Sequence, residues 1–382
     1  MSTKTPADRT ATAMRILVML GAVAVAEWWI RVTLQINERG EEAFFIDFVA
    51  FWTAAKLALA GEAMTVWNEP AFDLAQNVPR AEDARMPWFY PATWHLAVTP
   101  FAALPFSIAW GGFILLSLGL LVAAARRVTL RYWPVAVVCP AVLLTTMLGN
   151  NAILFAACLA LALEMLMRNR SAGAGPGVLI AVLTMKPSLG LTVPIALAAG
   201  GHWRAIAWAA GSALLLAAIA TALFGIAHWQ AFFAALSTAM DRVTETSLEA
   251  PRMISWYALA HYGGFGSIAL PLHLALLTTM ALLLALLWRR GEAAGDWRAA
   301  ALMIAVALTS PHAFHYEMVY ALAGMAFALR AGIGWAGGLV LALLWIAPMP
   351  LLLPFETAPV VVLACPAATL AFGYSTWRGL RG

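Results

Sequence analysis

Five short stretches of this chain set polar or ionisable residues among apolar ones. They are Asp47, Trp88-Phe89-Tyr90-Pro91, Gly149-Asn150-Asn151, Lys186-Pro187 and Ser310-Pro311-His312-Ala313-Phe314-His315-Tyr316-Glu317. Their types suggest what they could do together. A carboxylate is a potential general base, and a lysine with histidines can stabilise charge on an anionic oxygen. Ionisable groups in an apolar belt are costly, and for that reason they point to function.

Each stretch also has a plainer reading. Asp47 precedes an apolar run and suits its N-cap, a role that does not exclude catalysis. Lys186 could snorkel to an interface, but the proline after it breaks the run and favours a re-entrant turn facing a cavity. Asn150-Asn151 suits a turn between two helices. His312 and His315, three apart, would share one face of a helix and could serve as interfacial hydrogen-bonding groups. With Glu317 they faintly suggest a metal, but no Glu-x-x-His or His-Glu-x-x-His pattern occurs, so no metal site is expected. Glu164 and Arg168 read as an i,i+4 helix pair. Cys139, Cys158 and Cys365 lie in apolar runs without CxxC spacing, so neither a disulfide framework nor a thiolate metal site is expected.

The composition says which elements must position these groups. Hydrophobic residues make up 63% of the 382 and charged residues 11%, against roughly 45–50% and about 25% in a soluble domain. So few charges cannot cover a water-soluble globule. With a mean hydropathy of +0.82, the chain reads as an all-α polytopic membrane protein, one integral-membrane domain over 1–382. Disorder, coiled coil and a secreted disulfide scaffold are excluded. The formal charge of +4 reports arginines at helix ends, and no nucleic-acid partner is expected.

A spanning helix needs about 20 mostly apolar residues. The first candidate, 15–31, has no cleavage site after it and reads as an uncleaved helix. Further runs cover 106–125, 132–148, 151–167, 177–185, 187–199, 205–224, 268–288, 297–310, 316–330, 335–352 and 357–376. That gives about 12 transmembrane or re-entrant helices (10–12), with 92–105 left open between spanning and re-entrant. Arg126, Arg127, Arg131, Arg168, Arg170, Arg204, Arg289, Arg290, Arg298, Arg330, Arg378 and Arg381 all fall on one side if 177–199 is a short hairpin turning at Lys186–Pro187. The positive-inside rule then puts both termini in the cytoplasm of a plasma-membrane protein.

The outer side carries a first loop, 37–91, with nine acids against four bases. Within it Phe48–Ala60 reads as a short helix stopped by Gly61, too short to span and expected along the membrane interface. A second outer loop, 225–266, is aromatic and partly polar. All five polar stretches fall on this outer level, which one shared cavity would explain. Ser171–Gly177 lacks the strand and the Gly-Lys-Ser/Thr of a phosphate loop, and no internal repeat is evident.

Taken in order, the stretches resemble a known family. Asp47–Gly61 (DFVAFWTAAKLALAG), Trp88–Pro91, Gly149–Asn151, Leu183–Pro187 (LTMKP), His202-Trp203-Arg204 and Leu308–Glu317 are similar to motifs of glycosyltransferase family 87, over about 15–330. The family often has Tyr-Pro-Pro where this chain has Tyr90-Pro91-Ala92. It often has Gly-Gln-Asn in place of Gly149-Asn150-Asn151, and Lys-Pro-Gln in place of Lys186-Pro187-Ser188. These departures bear on acceptor and sugar specificity. The resemblance implies a GT-C fold and a mannosyltransferase that uses polyprenyl-phosphate-mannose without a cofactor. It also implies a catalytic aspartate in the first outer loop, here Asp47.

Such a transfer has simple needs. The leaving group is a phosphate monoester, so no general acid is required. A base must stand beside the acceptor hydroxyl and cations beside the departing phosphate. Asp47 is the candidate base, and Lys186 with His312 and His315 the candidate phosphate ligands, expected to face one outward cavity near Asp47. Trp52, Tyr90, Asn150, Asn151 and Glu317 are the candidate substrate-binding residues. Trp52, Trp88, Phe89, Tyr90 and Trp94 could line a sugar pocket, although interfacial belts are equally rich in such residues. A single displacement inverts the anomeric centre. The expected partners are the polyprenyl-phosphate-sugar donor, a lipid or glycan acceptor, and membrane lipids. The alternative is a transporter or flippase of a lipid-linked saccharide, which should show repeat symmetry and paired broken helices; the sequence offers one broken hairpin.

Overall fold

The structure, a computed structural model, describes residues 46–76, 86–245, 252–348 and 360–381, with a few isolated positions before 46. The expected helix at 15–31 lies almost wholly outside the described residues. In chain order the helices are α1 (Ile46–Leu59), α2 (Glu69–Gln76), α3 (Ala92–Val98), α4 (Phe106–Val128), α5 (Trp133–Val137), α6 (Pro140–Leu148), α7 (Ala152–Arg168), α8 (Ala174–Ala181) and α9 (Thr192–Ala199). They continue as α10 (Trp203–Phe224), α11 (Ile226–Glu245), α12 (Trp256–Tyr262), α13 (Gly266–Arg289), α14 (Trp297–Thr309), α15 (Met318–Ala331), α16 (Trp335–Ile346) and α17 (Val361–Arg381). Among the described residues there is no strand, only an isolated bridge between Met253 and Phe314.

Within the described residues the apolar runs reappear as helices at their expected places, though of unequal length. Among the described residues α4, α10 and α13, with 23, 22 and 24 residues, are long and apolar enough to cross a membrane. The run 132–148 divides at Pro140 into α5 and α6, and 177–199 divides at Lys186–Pro187. A proline removes one backbone donor and clashes with the preceding turn, so a long apolar run becomes two short helices. The stretch 92–105 forms α3 and a 3-10 turn, too short to span. Of the second outer loop, α11 and α12 are helical.

Burial sorts the helices into a core and a shell. All thirteen residues of α14 are buried, as are Met318–Leu329 of α15. A helix apolar on every face belongs inside. Gly324 lets the two lie almost backbone to backbone, since a methyl group there would stand 2.9 Å from Met303 Cβ and 3.1 Å from the Ala300 carbonyl. Small residues at a crossing are a common device of membrane bundles. In contrast, α10 buries only Ala205 and Ala220 and turns Trp208, Leu214, Leu215 and Leu223 outward. An apolar surface of that extent is a liability in water and natural against lipid.

The arginine-bearing helix ends meet at one end of the bundle. Arg168 donates to the Arg127 carbonyl, Arg330 to the Val128 carbonyl, and Arg290 to the Leu380 carbonyl. Glu164 pairs with both Arg168 and Arg330.

α1 differs from its expectation in one respect. It ends as expected at Gly61, whose φ of +79° suits glycine. The bonds Glu62 N–H to Leu57 O and Gly61 N–H to Ala58 O close a Schellman cap. However, Asp47–Phe51 and Thr53–Ala55 are buried, which is not the one-sided burial of a helix lying on a membrane surface.

Candidate active site

Asp47 stands in the first turn of α1, where the helix dipole favours a carboxylate. It does not cap its own helix. Oδ2 accepts a hydrogen bond from Asn150 Nδ2 at 3.3 Å, and Oδ1 has no hydrogen-bond partner. The residue is 2% exposed. Burial raises its pKa from 3.8 to about 6, against the opposing pull of the Asn150 bond and of Lys186; Glu317 adds to the rise.

The turn between α6 and α7 delivers Asn150. Gly149, at φ +68°, closes α6 with the bonds Asn150 N–H to Thr145 O and Gly149 N–H to Thr146 O. It also gives way to α1: an added Cβ would stand 2.5 Å from Phe48 Cβ. Asn150 Oδ1 accepts from Ala152 N–H at 2.8 Å, which fixes the amide so that Nδ2 faces Asp47. Gly149→Ala is therefore expected to destabilise the protein by about 2 kcal/mol or more, the left-handed backbone and the overpacking adding up. Thermal unfolding checks this.

Lys186 lies where the chain unwinds between two 3-10 turns, Val182–Met185 and Pro187–Leu189. Nζ donates to Glu317 Oε1 at 2.5 Å and sits 4.9 Å from the centre of the Tyr316 ring. The pair is well covered, with side chains 16% and 3% exposed. Glu317 closes the turn His315–Glu317 that leads into α15, and its Oε2 is buried without a partner. Lys186 thus finds its anion within the chain, and both partners act electrostatically on Asp47.

Tyr90 and Asn151 complete the cluster. Phe51, one turn from Asp47, takes the rings of Tyr90, Trp94 and Trp88 edge-on at 5.3, 5.2 and 6.4 Å. Asn151 is fully buried beside the Tyr90 hydroxyl; neither of its side-chain polar atoms makes a well-formed hydrogen bond. The Tyr320 hydroxyl, near Glu317 and Tyr90, is likewise buried and unpartnered. Buried polar groups are nearly always satisfied. Unmet atoms on Asp47, Asn151, Glu317 and Tyr320 at one place suit a hydroxyl-rich substrate.

Other sequence candidates sit elsewhere. Trp52 donates to the Leu104 carbonyl at 3.1 Å, with Lys56 over its ring. His315 donates from Nδ1 to the Arg252 carbonyl at 3.3 Å and reaches the Lys186 side only through Tyr316, its ring 5.4 Å away. His312 packs edge-on to Tyr257 at 6.0 Å and lies near His273. Burial lowers both histidines to about 4, so near neutral pH they offer nitrogens but no positive charge. The expected convergence of Lys186 with a histidine is replaced by a Lys186–Glu317 pair. A groove of about 300 Å³ opens between Trp67, Phe72, Trp88 and Phe89 on one side and α11 on the other.

Sequence reasoning missed a chain of hydrogen bonds behind α1. Trp67 Nε1 donates to His228 Nδ1 at 3.3 Å, His228 Nε2 and His95 Nδ1 are 2.9 Å apart, and His95 Nε2 meets the Ala54 carbonyl at 2.8 Å. The indole can only donate and the carbonyl only accept, so every tautomer is set. The chain ties α11 and α3 to the helix of Asp47. Burial lowers both imidazoles to about 4. As pH falls from about 6.5 toward 4, the unfolded histidines take up protons that the folded ones refuse, so stability falls across that window. Melting temperature against pH checks it, and His95→Gln should flatten the slope. No local sequence signal pairs two histidines so far apart.

The profile of glycosyltransferase family 87 matches residues 88–311. The chain belongs to that family. The matched span holds Tyr90, Asn150, Asn151 and Lys186, begins after Asp47 and ends before Glu317. No curated protein and no solved structure is a match. Family 87 membership makes the chain a glycosyltransferase, and its apolar helices make it a membrane one.

Proposed function

We propose that this family 87 enzyme moves a sugar, mannose first among the candidates, from a polyprenyl phosphate to an acceptor hydroxyl at the outer face of the plasma membrane. Asp47 is the general base. One observation carries the reading: a buried carboxylate, raised to about 6, keeps one oxygen unpartnered among other unmet polar atoms. A base of that pKa works near neutral pH.

In the proposed step Asp47 Oδ1 takes the acceptor proton as the acceptor oxygen bonds to the anomeric carbon. The carbon–oxygen bond to phosphate breaks, polyprenyl phosphate leaves, and the configuration inverts. Lys186 spends one of its three N–H donors on Glu317, leaving two for phosphate oxygens, while the neutral His315 already gives its one N–H to the Arg252 carbonyl. The aromatic groove beside Trp88 suits a glycan acceptor. Purified protein should transfer mannose from polyprenyl-phosphate-mannose and not from GDP-mannose. Transfer from the nucleotide sugar, or transbilayer movement of the lipid-linked sugar without transfer, would replace this reading.

Orientation follows from the arginine-bearing end, which the positive-inside rule assigns to the cytoplasm together with both termini. A cysteine replacing Glu69 should then react with an impermeant thiol reagent in intact cells. Labelling only after permeabilisation would reverse the topology.

A further inference from the structure

The arginine-rich end of the bundle holds a second polar cluster. It lies about 25 Å from Asp47, the length of the 17-residue α7 that runs between them. Most charges there are matched: Arg168 and Arg330 share Glu164, and Arg330 grips Asp296 through two bonds of 2.7 Å. Arg170, His202 and Arg298 are not matched in this way.

His202, between α9 and α10, is 2% exposed, and neither ring nitrogen has a hydrogen-bond partner. The Arg170 backbone carbonyl lies close to it without the geometry of a bond. The imidazole stands edge-on to Trp288 at 5.6 Å, and the Arg298 guanidinium lies 5.5 Å from the centre of the same indole. Arg298 is 4% exposed; its Nε donates to the sulfur of Met167, a weak acceptor, and its Nη1 is buried without a partner. Arg170, exposed at the rim, donates to the Gly200 carbonyl at 2.8 Å and acts electrostatically on both other residues. The acids facing Arg298 are Asp296, already held by Arg330, and the exposed Glu292.

Three basic side chains from three separate segments therefore meet, and among them Arg298 Nη1 and both ring nitrogens of His202 are buried without a partner. A buried guanidinium N–H without an acceptor is costly. An anion with several oxygens meets such a set through charge-assisted bonds. We propose that Arg170, His202 and Arg298 form a binding site for a phosphate group, either that of a lipid head group or free phosphate. The site is separate from the transfer reaction and does not depend on it.

The test uses the full chain in phosphatidylcholine nanodiscs and follows the melting temperature. One arm adds inorganic phosphate; the other replaces part of the phosphatidylcholine with phosphatidic acid. A saturable rise is expected in at least one arm. Response to phosphate identifies the free ion, and response to phosphatidic acid alone identifies a head group; either supports the site. Arg170→Gln and His202→Phe, which keeps a ring against Trp288, should each weaken the apparent affinity about tenfold or more, as for one lost charge-assisted bond. Because Arg170 is exposed, Arg170→Gln carries the test even if the other variant fails to fold. No rise in either arm, or a rise that Arg170→Gln leaves unchanged, overturns the proposal.

Discussion

Asp47→Asn should transfer sugar at least ~100-fold more slowly than the parent, the lower range for loss of a general base, while unfolding at a higher temperature. The two effects have one cause. The carboxylate is raised from 3.8 to about 6 because burial opposes its charge. A folded-state pKa about two units above the unfolded one means that ionised Asp47 costs the fold about 3 kcal/mol at neutral pH. The substituted amide would keep an oxygen for Asn150 and lose that cost. Rate and stability therefore move in opposite directions, which a purely structural role would not produce. The parent's own pH profile should agree. The carboxylate form is lost as pH falls through about 6, so the rate should drop about tenfold per pH unit below it and level off above. Near-normal turnover by Asp47→Asn would remove the residue from the mechanism.

The second large effect concerns the buried ion pair. Lys186→Met leaves the Glu317 carboxylate buried, unpaired and close to Asp47. Removing one partner of such a pair costs about 3–5 kcal/mol, so the variant should be both unstable and inactive, and alone it would be uninformative. Lys186→Met combined with Glu317→Gln removes both charges and should recover most of the stability. If Lys186 also serves the departing phosphate, the double variant should still turn over about 100-fold or more slowly, the range for loss of one such stabilising group. Melting temperature with kcat and KM for the donor separates the two roles. A double variant restored in both stability and turnover would confine the pair to architecture.

Much of this site was legible because each residue stood out against apolar surroundings. Asp47, Asn150, Lys186 and Glu317 are polar residues in apolar stretches, and the structure gathers them. The partner of Lys186 was not legible, because Glu317 is 131 positions away and nothing local couples them. The histidines went astray for a definite reason. Grouping His312 with His315 presumed a helix, but Ser310 already leaves the helical region at ψ 134°, and a residue before proline is pushed that way. The two rings then diverge. The turn at Lys186–Pro187 was legible from its proline, whereas the break of 132–148 at Pro140 was not, since hydropathy measures apolar length and not helical continuity. The burial of α1 was within reach: Phe48-Val49-Ala50-Phe51 is apolar on consecutive positions, which marks a helix covered on every side.

The close crossing of α14 and α15 at Gly324 decides which wall of the site can yield. Helices packed almost backbone to backbone behave as one strut, so Glu317, carried at their junction, is a fixed post. The opposite wall hangs on the unwound step at Lys186, between 3-10 turns whose hydrogen bonds are the poorer kind. If the proposed lipid-linked substrate enters between these walls, the Lys186 side is the one that can bend, and the contact between Nζ and the post is the latch to be lifted.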